Sequence, residues 1–475
     1  MATRVVVIGA GPGGYVAAIR AAQLGAEVTV IERDNVGGTC LNCGCIPSKV
    51  MITTAELLDK FHRAHEFGLR LEGKVFPDMQ RLMARKEKVI QDQAKGILDL
   101  FQHHRIHYVP GKGTIEKPGS ATAQRGDGKI LEVPWDKLIV APGTQPCSFP
   151  TFPFDGRQIL SSNDALCLQE VPASIMVLGG GVIGCEFAFL LAALGSQVTV
   201  VEAADRLLPI PSVDEDCSKV IQREMKKRKI KFMLKRTAER VERNGGKLRV
   251  TLGPSPFLPD PREMEPSALE VDKLLVTIGR QPNTGSVGLE KLGVSLDVNG
   301  WIVANERMET SVPGVYAIGD VLGPSKIMLA HVASMEGLVA AENALSGNRT
   351  MNYCAVPTTI FTMPEVANVG MSEMQAREWG FDVRTDTILF RTLAKPQVIG
   401  EIAGETKIVS DAETGRILGV HIVGPHATEL IAEGTLAVKM RLTVKDLAET
   451  IHAHPTLAEV MLEASLKAMK SSLHG

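Results

Sequence analysis

The chain has 475 residues, 44% of them hydrophobic, and its 52 basic and 54 acidic side chains leave a formal net charge of −2. That length corresponds to about three domains. The balanced charge argues against a surface that binds nucleic acid or an anionic membrane, and no stretch is long and apolar enough to span a membrane. Five of the eight cysteines stand alone, which excludes a disulfide-stabilised scaffold. We therefore expect a soluble protein of the cytoplasm.

The first segment has the pattern of a dinucleotide-binding unit. Arg4–Ile8 predicts a buried parallel strand, glycines 9, 11 and 14 follow in GxGxxG spacing, and a second strand ends at Glu32. In such a unit Gly9 makes the turn, Gly11 lets the backbone approach a pyrophosphate, and Gly14 lets helix and strand pack closely. The acid accepts a ribose hydroxyl, and the helix N-terminus stabilises the phosphate.

The same pattern occurs a second time. Ser174–Leu178 predicts a strand, glycines 179, 181 and 184 follow, and the next strand ends at Glu202. Glu202 should bond a ribose 2′-hydroxyl and repel a 2′-phosphate, and no arginine follows it directly, so the pattern favours NAD over NADP. Two such units imply two nucleotides, most simply a tightly held flavin and an exchangeable nicotinamide.

A cluster of thiols lies between the strands of the first unit and the helices that follow. Cys40 and Cys45 are separated by four residues, with Cys43 between them. Such a pair is a redox couple, a metal clip or an accident of the sequence. A clip is disfavoured because only three thiols are close and no partner pair occurs elsewhere. We predict that a helix starts within Cys43–Lys49 and that its N-terminal dipole stabilises a thiolate.

The last ~125 residues contain no third fingerprint and predict a separate α+β domain. They carry His454 before a proline, with Glu459 five residues further on. A thiol that exchanges with a disulfide needs a base to take its proton, and His454 is the best candidate in the chain. It can serve if the last domain covers the Cys40–Cys45 site, either within one chain or across a dimer.

The chain resembles the flavoprotein disulfide reductases, the class I pyridine nucleotide-disulfide oxidoreductases, and within them the dihydrolipoamide dehydrogenases. The resemblance covers nearly the whole chain. It rests on these motifs, in the order of the family: GAGPGG, GGTCLNCGCIPSK, GGGVIGCE, TIGRQPNT, YAIGD, MLAHVASMEG, IFTMPEVANVG and HAHPTLAE.

The resemblance implies an α/β fold with two Rossmann-like dinucleotide-binding domains and a C-terminal α+β dimerisation domain. The implied domains are an FAD-binding domain (1–146), an NAD-binding domain (147–275), a central domain that completes the FAD site (276–347) and an interface domain (348–475).

The resemblance also implies an NAD-dependent enzyme that oxidises protein-bound dihydrolipoyl groups to the lipoyl disulfide, with electrons passing through Cys40–Cys45 and FAD to NAD+. Its implied partners are a second copy of the chain and a lipoyl-bearing acyltransferase or glycine-cleavage carrier protein of a multienzyme complex. Two alternatives stay open: a related FAD-dependent reductase of a small disulfide, and a non-catalytic subunit that keeps the fold. The intact set of thiols, histidine and glutamate weighs against the second.

Residue roles follow from the same resemblance. Cys45 is expected nearest the flavin, Cys40 is the interchange thiol, and His454 is the base, supplied by the partner subunit. Lys49 is expected near the reactive nitrogen of the flavin and paired with Glu186. The implied catalytic residues are Cys40, Cys45, His454, Glu459, Lys49 and Glu186. The implied FAD-binding residues are Gly9, Gly11, Pro12, Gly14, Glu32, Gly38, Thr39, Lys49, Gly113, Gly143, Asp320, Met328, Leu329, Ala330 and His331. The implied NAD-binding residues are Gly179, Gly181, Val182, Ile183, Gly184, Glu186, Glu202 and Gly279. No metal is implied.

Two positions depart from the family pattern. An aliphatic residue is usual at Cys43, so this thiol is either a small apolar substitute or a third redox thiol that captures Cys40 or Cys45. Ala-Thr-Gly is usual where Ala141-Pro142-Gly143 stands, and Pro142 removes a hydroxyl and a backbone donor beside the FAD.

Overall fold

A computed structural model of the protein describes residues 2–258 and 267–474. The sequence predicts a loop over the proline-rich stretch Pro254–Pro266, of which residues 259–266 lie outside the described residues. The chain folds into two compact units. The first consists of Met1–Val50, Gln80–Cys147 and Gly279–Tyr353, and the second consists of Met51–Met79, Ser148–Ile278 and Cys354–Gly475.

The helices of the described residues are, in chain order, α1 (Pro12–Gln23), α2 (Gly38–Cys43), α3 (Cys45–His62), α4 (Met79–His103), α5 (Ser162–Ala165), α6 (Val182–Ala193), α7 (Glu215–Lys227), α8 (Ala330–Ala344), α9 (Glu373–Glu378), α10 (Ala394–Ile399), α11 (Ala427–Met440), α12 (Val444–Ala448) and α13 (Glu459–Ala468).

The strands of the described residues are, in chain order, β1 (Arg4–Ile8), β2 (Glu27–Glu32), β3 (His107–Pro110), β4 (Lys112–Lys117), β5 (Ser120–Gln124), β6 (Ile130–Pro134), β7 (Lys137–Val140), β8 (Thr144–Pro146), β9 (Ile159–Leu160), β10 (Ser174–Leu178), β11 (Gln197–Val201), β12 (Lys231–Met233), β13 (Arg236–Asn244), β14 (Lys247–Pro254), β15 (Ser267–Val271), β16 (Lys273–Val276), β17 (Arg280–Pro282), β18 (Val315–Ala317), β19 (Thr358–Ile360), β20 (Glu365–Gly370), β21 (Val383–Leu389), β22 (Glu405–Asp411) and β23 (Ile417–Gly424).

The first unit is built on a parallel sheet of order β18-β7-β1-β2-β3. Its central strand β1 is the apolar run RVVVI, which is buried because helices cover such a sheet on its faces. The helices α1 and α8 pack against each other. An antiparallel sheet β4-β5-β6 and the short pair β8-β17 complete the unit. The carboxyl ends of the parallel strands define the edge where a ligand site is expected.

The second unit contains a similar parallel sheet and two antiparallel ones. The parallel sheet has the order β12-β11-β10-β16-β9, and β13-β14-β15 form an antiparallel sheet. The third sheet, β19-β20-β23-β22-β21, is antiparallel and carries α11 and α13. Its central strand β23 (ILGVHIVG) is buried along its whole length. These layers confirm the predicted fold class of two Rossmann-like units and an α+β domain.

The sequence patterns located most of the longer elements but missed eight of the described strands. The strands that were not predicted are β4, β8, β9, β12, β13, β17, β20 and β21. Most of their sequences mix polar and apolar residues, and their extended conformation comes from pairing with neighbours such as β22 and β23. Tertiary pairing therefore decides these segments.

No helix among the described residues is long and apolar enough to cross a membrane.

Candidate active site

Two helices of the first unit begin side by side at the same end. A Cβ atom at Gly13 of α1 would lie 2.9 Å from the carbonyl oxygen of Ala333 of α8, and a Cβ atom at Gly337 would lie 2.5 Å from the carbonyl oxygen of Gly13 and 3.2 Å from the backbone nitrogen of Ala17. Moving along α8 from Ala333 to Gly337, the contacts on α1 move from Gly13 towards Ala17, so the two helices run parallel. Their dipoles therefore point their positive ends in the same direction.

The first turns of both helices suit an anionic group. The N-cap of α1 is Gly11, with Pro12 at the first helical position, and the N-cap of α8 is Leu329; neither helix has a side-chain cap. Met328 and Leu329, which precede α8, are half-buried, and His331 in its first turn is exposed. Backbone N–H groups at such helix starts bind phosphate oxygens. These residues fit the pyrophosphate of a dinucleotide.

The glycine turn has the geometry that the sequence predicts. Gly9 has a φ of +102°, and a Cβ atom there would lie 2.2 Å from the carbonyl oxygen of Ala141. A Cβ atom at Gly14 would lie 1.9 Å from the carbonyl oxygen of Gly9, whereas the nearest atom at Gly11 is the Cα of Gly38 at 4.0 Å. Gly9 and Gly14 therefore allow close packing, and Gly11 leaves space for a ligand.

The carboxylate of Glu32 is already engaged with the turn. Its Oε2 accepts a hydrogen bond from the backbone N–H of Ala10 at 2.6 Å, and its Oε1 accepts one from Asp34 at 2.8 Å. Burial raises the pKa of Glu32 in spite of these two bonds. Since each carboxylate oxygen has a second lone pair, the side chain can still accept a ribose hydroxyl.

The thiol-bearing helix α2 starts against this turn. Gly37 and Gly38 both have positive φ angles, +87° and +56°, and a Cβ atom at Gly38 would lie 2.7 Å from the Cα of Gly11. Thr39 and Cys40 occupy the first turn of α2. The fold thus brings Cys40 to the same glycine turn that suits the pyrophosphate.

The predicted helix start within Cys43–Lys49 is confirmed, and it lies two residues after Cys43. Cys43 is the last residue of α2, and the next helix begins at Cys45. Gly44 separates the two helices with a non-helical backbone, φ −147° and ψ −115°, and a Cβ atom there would lie 2.8 Å from the carbonyl oxygen of Thr39. The N-terminal dipole of α3 therefore acts on Cys45 and not on Cys43.

The first unit brings Cys40, Cys45 and Lys49 together. Both thiols are unbridged, and the Cys40 thiol is hydrogen-bonded to the side chain and backbone of Cys45. This hydrogen bond and burial raise the pKa of Cys40, while the charge of Lys49 acts in the opposite direction. Cys40 therefore keeps its proton until a base removes it. Whether Cys43 takes part in redox chemistry stays a prediction.

Asp320 is held by two residues that the sequence analysis did not assign. Its Oδ2 accepts a hydrogen bond from the hydroxyl of Thr144 at 3.1 Å, and the Nε of Arg280 lies 4.0 Å from the same oxygen. Arg280 also donates to the hydroxyl and the carbonyl oxygen of Thr144, at 2.7 and 2.9 Å. Arg280 belongs to the TIGRQPNT motif, which was the available signal for it.

The neighbouring segment is held by Asn283. Its side-chain amide donates to the carbonyl oxygen of Pro142 at 3.0 Å, and its backbone N–H donates to Gly143 at 3.1 Å. Gly143 has a φ of +65° and open space around its Cβ position.

At Gly113, a Cβ atom would lie 3.0 Å from the side chain of Ile8, so this glycine allows β4 to pack on β1.

The second glycine turn, at the start of α6, repeats the geometry of the first. Gly179 has a φ of +106°, and a Cβ atom at Gly184 would lie 1.8 Å from the Gly179 carbonyl oxygen. The N-cap Gly181 has no side-chain cap and nothing within 4 Å of its Cβ position, and Val182 and Ile183 form the first turn. These residues fit a second dinucleotide.

Glu202 closes the second turn as Glu32 closes the first. Its two oxygens accept hydrogen bonds from the backbone N–H groups of Gly180 at 2.5 Å and Ala204 at 2.7 Å. The nearest downstream arginine is Arg206, whose guanidinium donates to the carbonyl oxygens of Leu208, Ile210 and Val213. The guanidinium of Arg206 is therefore occupied by backbone carbonyl groups, and the contact of Glu202 with a ribose stays a prediction.

Glu186 and Gly279 lie in different units. Glu186 on α6 is buried, and its Oε1 accepts a hydrogen bond from the backbone N–H of Phe361 at 2.9 Å. Gly279 has a φ of +127°, and its carbonyl oxygen accepts from the backbone of Cys147 at 3.1 Å. The pairing of Lys49 with Glu186 and the contact of Gly279 with NAD stay predictions.

The second unit pairs His454 with Glu459 as predicted. The Nδ1 of His454 lies 2.9 Å from the Oε1 of Glu459, whose Oε2 accepts from the backbone N–H of Thr456 at 2.9 Å. Burial of Glu459 is outweighed by these hydrogen bonds, so its pKa is lowered and it stays ionised. The imidazole is 71% exposed, which leaves it accessible for proton transfer.

Comparisons with known protein families decide the assignment of the chain. Residues 3–337 match the model described as "Pyridine nucleotide-disulphide oxidoreductase", and residues 356–465 match the dimerisation domain of the same family. The chain belongs to the pyridine nucleotide-disulphide oxidoreductase family. The two cofactors that the paired fingerprints predict, FAD and NAD, are those of this family.

Relatives in this oxidoreductase family match over almost the full length. The dihydrolipoyl dehydrogenase of Chlamydia muridarum is 40% identical, over 99% of this chain and 97% of that protein. The mitochondrial dihydrolipoyl dehydrogenase 1 of Arabidopsis thaliana is also 40% identical, over 99% of this chain and 91% of that protein. The leghemoglobin reductase of Glycine max is 39% identical, over 97% and 87%.

A solved structure of the family has the same fold. The crystal structure of LpdA from Mycobacterium tuberculosis aligns with a TM-score of 0.89 and 31% identity, over 98% of this chain and 99% of that one.

Within the described residues, no group of three His, Cys, Asp or Glu side chains is arranged to hold a metal ion.

Proposed function

We propose that the chain is a dihydrolipoyl dehydrogenase, which oxidises protein-bound dihydrolipoyl groups to the lipoyl disulfide with NAD+ as the final acceptor. The observation that carries the proposal is the hydrogen-bonded dithiol Cys40–Cys45, in which Cys40 lies on the helix that starts against the first glycine turn. Relatives with this name span 97% of their own length at 40% identity, which supports the same choice of substrate.

The thiol chemistry follows from the geometry of the pair. FAD, when bound, supplies two-electron exchange between a disulfide and a nicotinamide. One substrate sulfur attacks Cys40 of the oxidised pair, which forms a mixed disulfide and releases Cys45 as a thiolate at the start of α3. The second substrate sulfur attacks the first, which closes the lipoyl ring and releases Cys40. The two electrons of the substrate then reside in the Cys40–Cys45 dithiol.

A base is needed because a thiol is a poor nucleophile. We assign this role to the Nε2 of His454, which accepts the substrate proton while Glu459 holds Nδ1 and stabilises the imidazolium. We assign to Lys49 the stabilisation of negative charge beside Cys40. These roles, together with the paired Lys49 and Glu186, are proposals for this chain.

The nucleotide preference is proposed from Glu202. A buried carboxylate at the ribose position accepts the 2′-hydroxyl of NAD and repels the 2′-phosphate of NADP. The guanidinium of Arg206 donates to backbone carbonyl groups instead, so it is not available to bind a 2′-phosphate. We propose NAD+ as the acceptor on this basis.

The assembly is proposed from the dimerisation domain, which matches 356–465. We propose a homodimer in which His454 of the partner subunit faces the Cys40–Cys45 pair. The proposed substrate carrier is the lipoyl-bearing acyltransferase or glycine-cleavage carrier protein of a multienzyme complex. The proposed location is the cytoplasm, although the Arabidopsis thaliana relative is mitochondrial by name.

The proposal is tested by anaerobic mixing of the oxidised holoenzyme with dihydrolipoamide while flavin absorbance is recorded. We expect rapid reduction of the flavin, followed by reoxidation with NAD+ and slow or no reoxidation with NADP+. The variants Cys40→Ser and Cys45→Ser should lose on the order of a thousandfold or more in rate, because each removes one sulfur of the exchanging pair.

A matched control is Cys167→Ser, since Cys167 is exposed and isolated from the other cysteines. This variant should retain the full rate. Rapid flavin reduction by NADPH, without any reduction by dihydrolipoamide, would contradict the proposal and favour a reductase of a small disulfide.

A further inference from the structure

A buried carboxylate lies behind the turn that carries Asp320. Glu336 of α8 is 1% exposed. One of its oxygens accepts a hydrogen bond from the backbone N–H of Gly319 at 2.7 Å, and the other accepts one from the hydroxyl of Tyr353 at 2.7 Å. Burying a carboxylate is unfavourable in free energy unless hydrogen-bond donors replace the lost hydration. Neither Glu336 nor Tyr353 has a part in the thiol chemistry described above.

The two sides of the turn are fixed by different residues. Gly319, with a φ of +75°, opens the short helical turn Gly319–Leu322. Glu336 holds the backbone of this turn, whereas Thr144 holds the side chain of Asp320. The hydrogen bond from Gly319 to Glu336 therefore supports the turn that carries the Asp320 carboxylate within the first unit.

Charged groups face Glu336 from the turn and from the loop that follows it. Asp320 faces it from the turn and Lys326 from the following loop, where its ammonium lies 5.1 Å from the centre of the Tyr353 ring. The helix α1 presents Gly13 and Ala17 to α8 at this level, which carry no charge. Burial raises the pKa of Glu336 to about 7, and its two hydrogen bonds work against this rise.

We propose that the buried pair Glu336–Tyr353 positions the Gly319–Asp320 turn for FAD and makes FAD binding depend on pH. The ionised carboxylate accepts from both Gly319 and Tyr353. The protonated carboxyl still accepts from Gly319 but donates to the Tyr353 oxygen, so the turn stays held while the negative charge is removed. FAD carries an anionic pyrophosphate, so it binds better to the protonated form, and its affinity falls as the pH rises through neutrality.

Titration of the apoprotein with FAD, followed by flavin fluorescence between about pH 5.5 and 8.5, tests the proposal. We expect the wild-type affinity to weaken with rising pH, by about tenfold if FAD raises the pKa of Glu336 by one unit. Glu336→Gln keeps both hydrogen bonds without a charge, so its affinity should not vary over this range. Tyr353→Phe removes a donor that stabilises the carboxylate and should move the midpoint to higher pH.

The control variant is Glu342→Gln, because Glu342 lies on the same helix and pairs with Arg20 and Arg349 instead. It should keep the wild-type profile. The proposal is overturned if Glu336→Gln follows the wild-type pH profile, or if Tyr353→Phe leaves the midpoint unchanged. Thermal unfolding of each apoprotein checks that the variants fold. Since the readout is FAD binding, the result does not depend on which disulfide the enzyme uses.

Discussion

At the scale of single residues, two neighbouring histidines of the second unit, His452 and His454, are each paired with a glutamate but differ in their exposure to solvent. His452 uses both ring nitrogens, on Glu433 and on the carbonyl oxygen of Thr450, and its side chain is 5% exposed. His454 is bound through Nδ1 to Glu459 and is largely exposed. A proton acceptor needs an accessible nitrogen and an oriented ring. His452 is therefore a structural residue, and His454 can act as a base.

Replacing the base should slow the thiol step without unfolding the protein. We expect His454→Gln to lower the rate of flavin reduction by dihydrolipoamide by about 100- to 10,000-fold, because the substrate thiol loses its proton acceptor. Stopped-flow absorbance measures this rate. The loss should shrink as the pH rises toward the pKa of the substrate thiol, since hydroxide then supplies the thiolate.

His452→Gln is the control for the same segment. It should lower thermal stability, because it breaks a buried hydrogen bond, but it should leave the rate of flavin reduction within a small factor. Equal rate losses in the two variants would show that the segment acts only through folding.

At the scale of elements, the site is assembled by close contacts between backbones. The helices α1 and α8 approach at Gly13 and Gly337, and α2 approaches the glycine turn at Gly38. Each contact places a helix N-terminus near the same edge of the parallel sheet. A side chain at these positions would separate the elements, so packing and ligand geometry depend on the same residues.

The helix crossing can be tested with a pair of glycine variants. Gly337→Ala places a Cβ atom 2.5 Å from the Gly13 carbonyl oxygen, whereas Gly96→Ala in α4 places one with nothing within 4 Å. We expect Gly337→Ala to cost about 1–3 kcal/mol in the free energy of unfolding and to weaken FAD binding.

Gly96→Ala should gain about 0.5–1 kcal/mol, because alanine favours a helix over glycine. Urea denaturation gives the free energy of unfolding, and flavin fluorescence gives the release of FAD. A gain in stability for Gly337→Ala, equal to that of Gly96→Ala, would contradict the close approach of the two helices.

At the scale of the whole molecule, an ion-pair network joins elements that are far apart in the chain. The ammonium of Lys407 on β22 lies 3.1 Å from Asp214, 2.9 Å from Asp216 and 2.7 Å from Glu373. Asp214 caps α7, which lies between strands β11 and β12 of the second parallel sheet, and Glu373 starts α9. Within the second unit, one buried cation thus connects the nucleotide-binding part to the antiparallel sheet.

Removing this cation should destabilise the fold strongly. We expect Lys407→Met to cost about 3–5 kcal/mol, because it leaves three carboxylates without their buried partner. Lys219→Met is the control, since Lys219 contacts Asp216 at the surface and such a pair contributes about 0–1 kcal/mol. Urea denaturation of both variants measures the difference.

The pH dependence of stability should also change sign. In the wild type, burial opposes ionisation of Asp214, Asp216 and Glu373, but it is outweighed by hydrogen bonds and by the charge of Lys407, joined at Asp214 by that of His421, so the pKa values of all three carboxyl groups are lowered. Their contribution to stability is therefore present above the unfolded pKa values, about 4, and is lost as the pH falls below them. In Lys407→Met the carboxylates repel each other, which raises their pKa values in the folded protein. The free energy of unfolding should therefore increase as the pH falls from about 7 to 5. A variant that loses stability over this range would contradict the prediction.

The sequence by itself determined the features that depend on local spacing. Both dinucleotide units follow from glycine spacing and strand patterns, because the turn between a strand and a helix is encoded within about ten residues. The thiol pair and the His454–Glu459 pair lie within six residues each, and their arrangement follows from that proximity.

Only the tertiary structure decided which distant residues complete the site. Thr144 and Arg280, which hold Asp320, are 136 residues apart. Glu336 on α8 accepts its hydrogen bond from Tyr353, which lies beyond the end of that helix. The end of α2 at Cys43 depends on how Gly44 packs against Thr39. Such contacts are set by how sheets and helices pack, which local pattern does not encode. The fold class could therefore be predicted from the sequence. The residues that hold Asp320 and its turn in place could not.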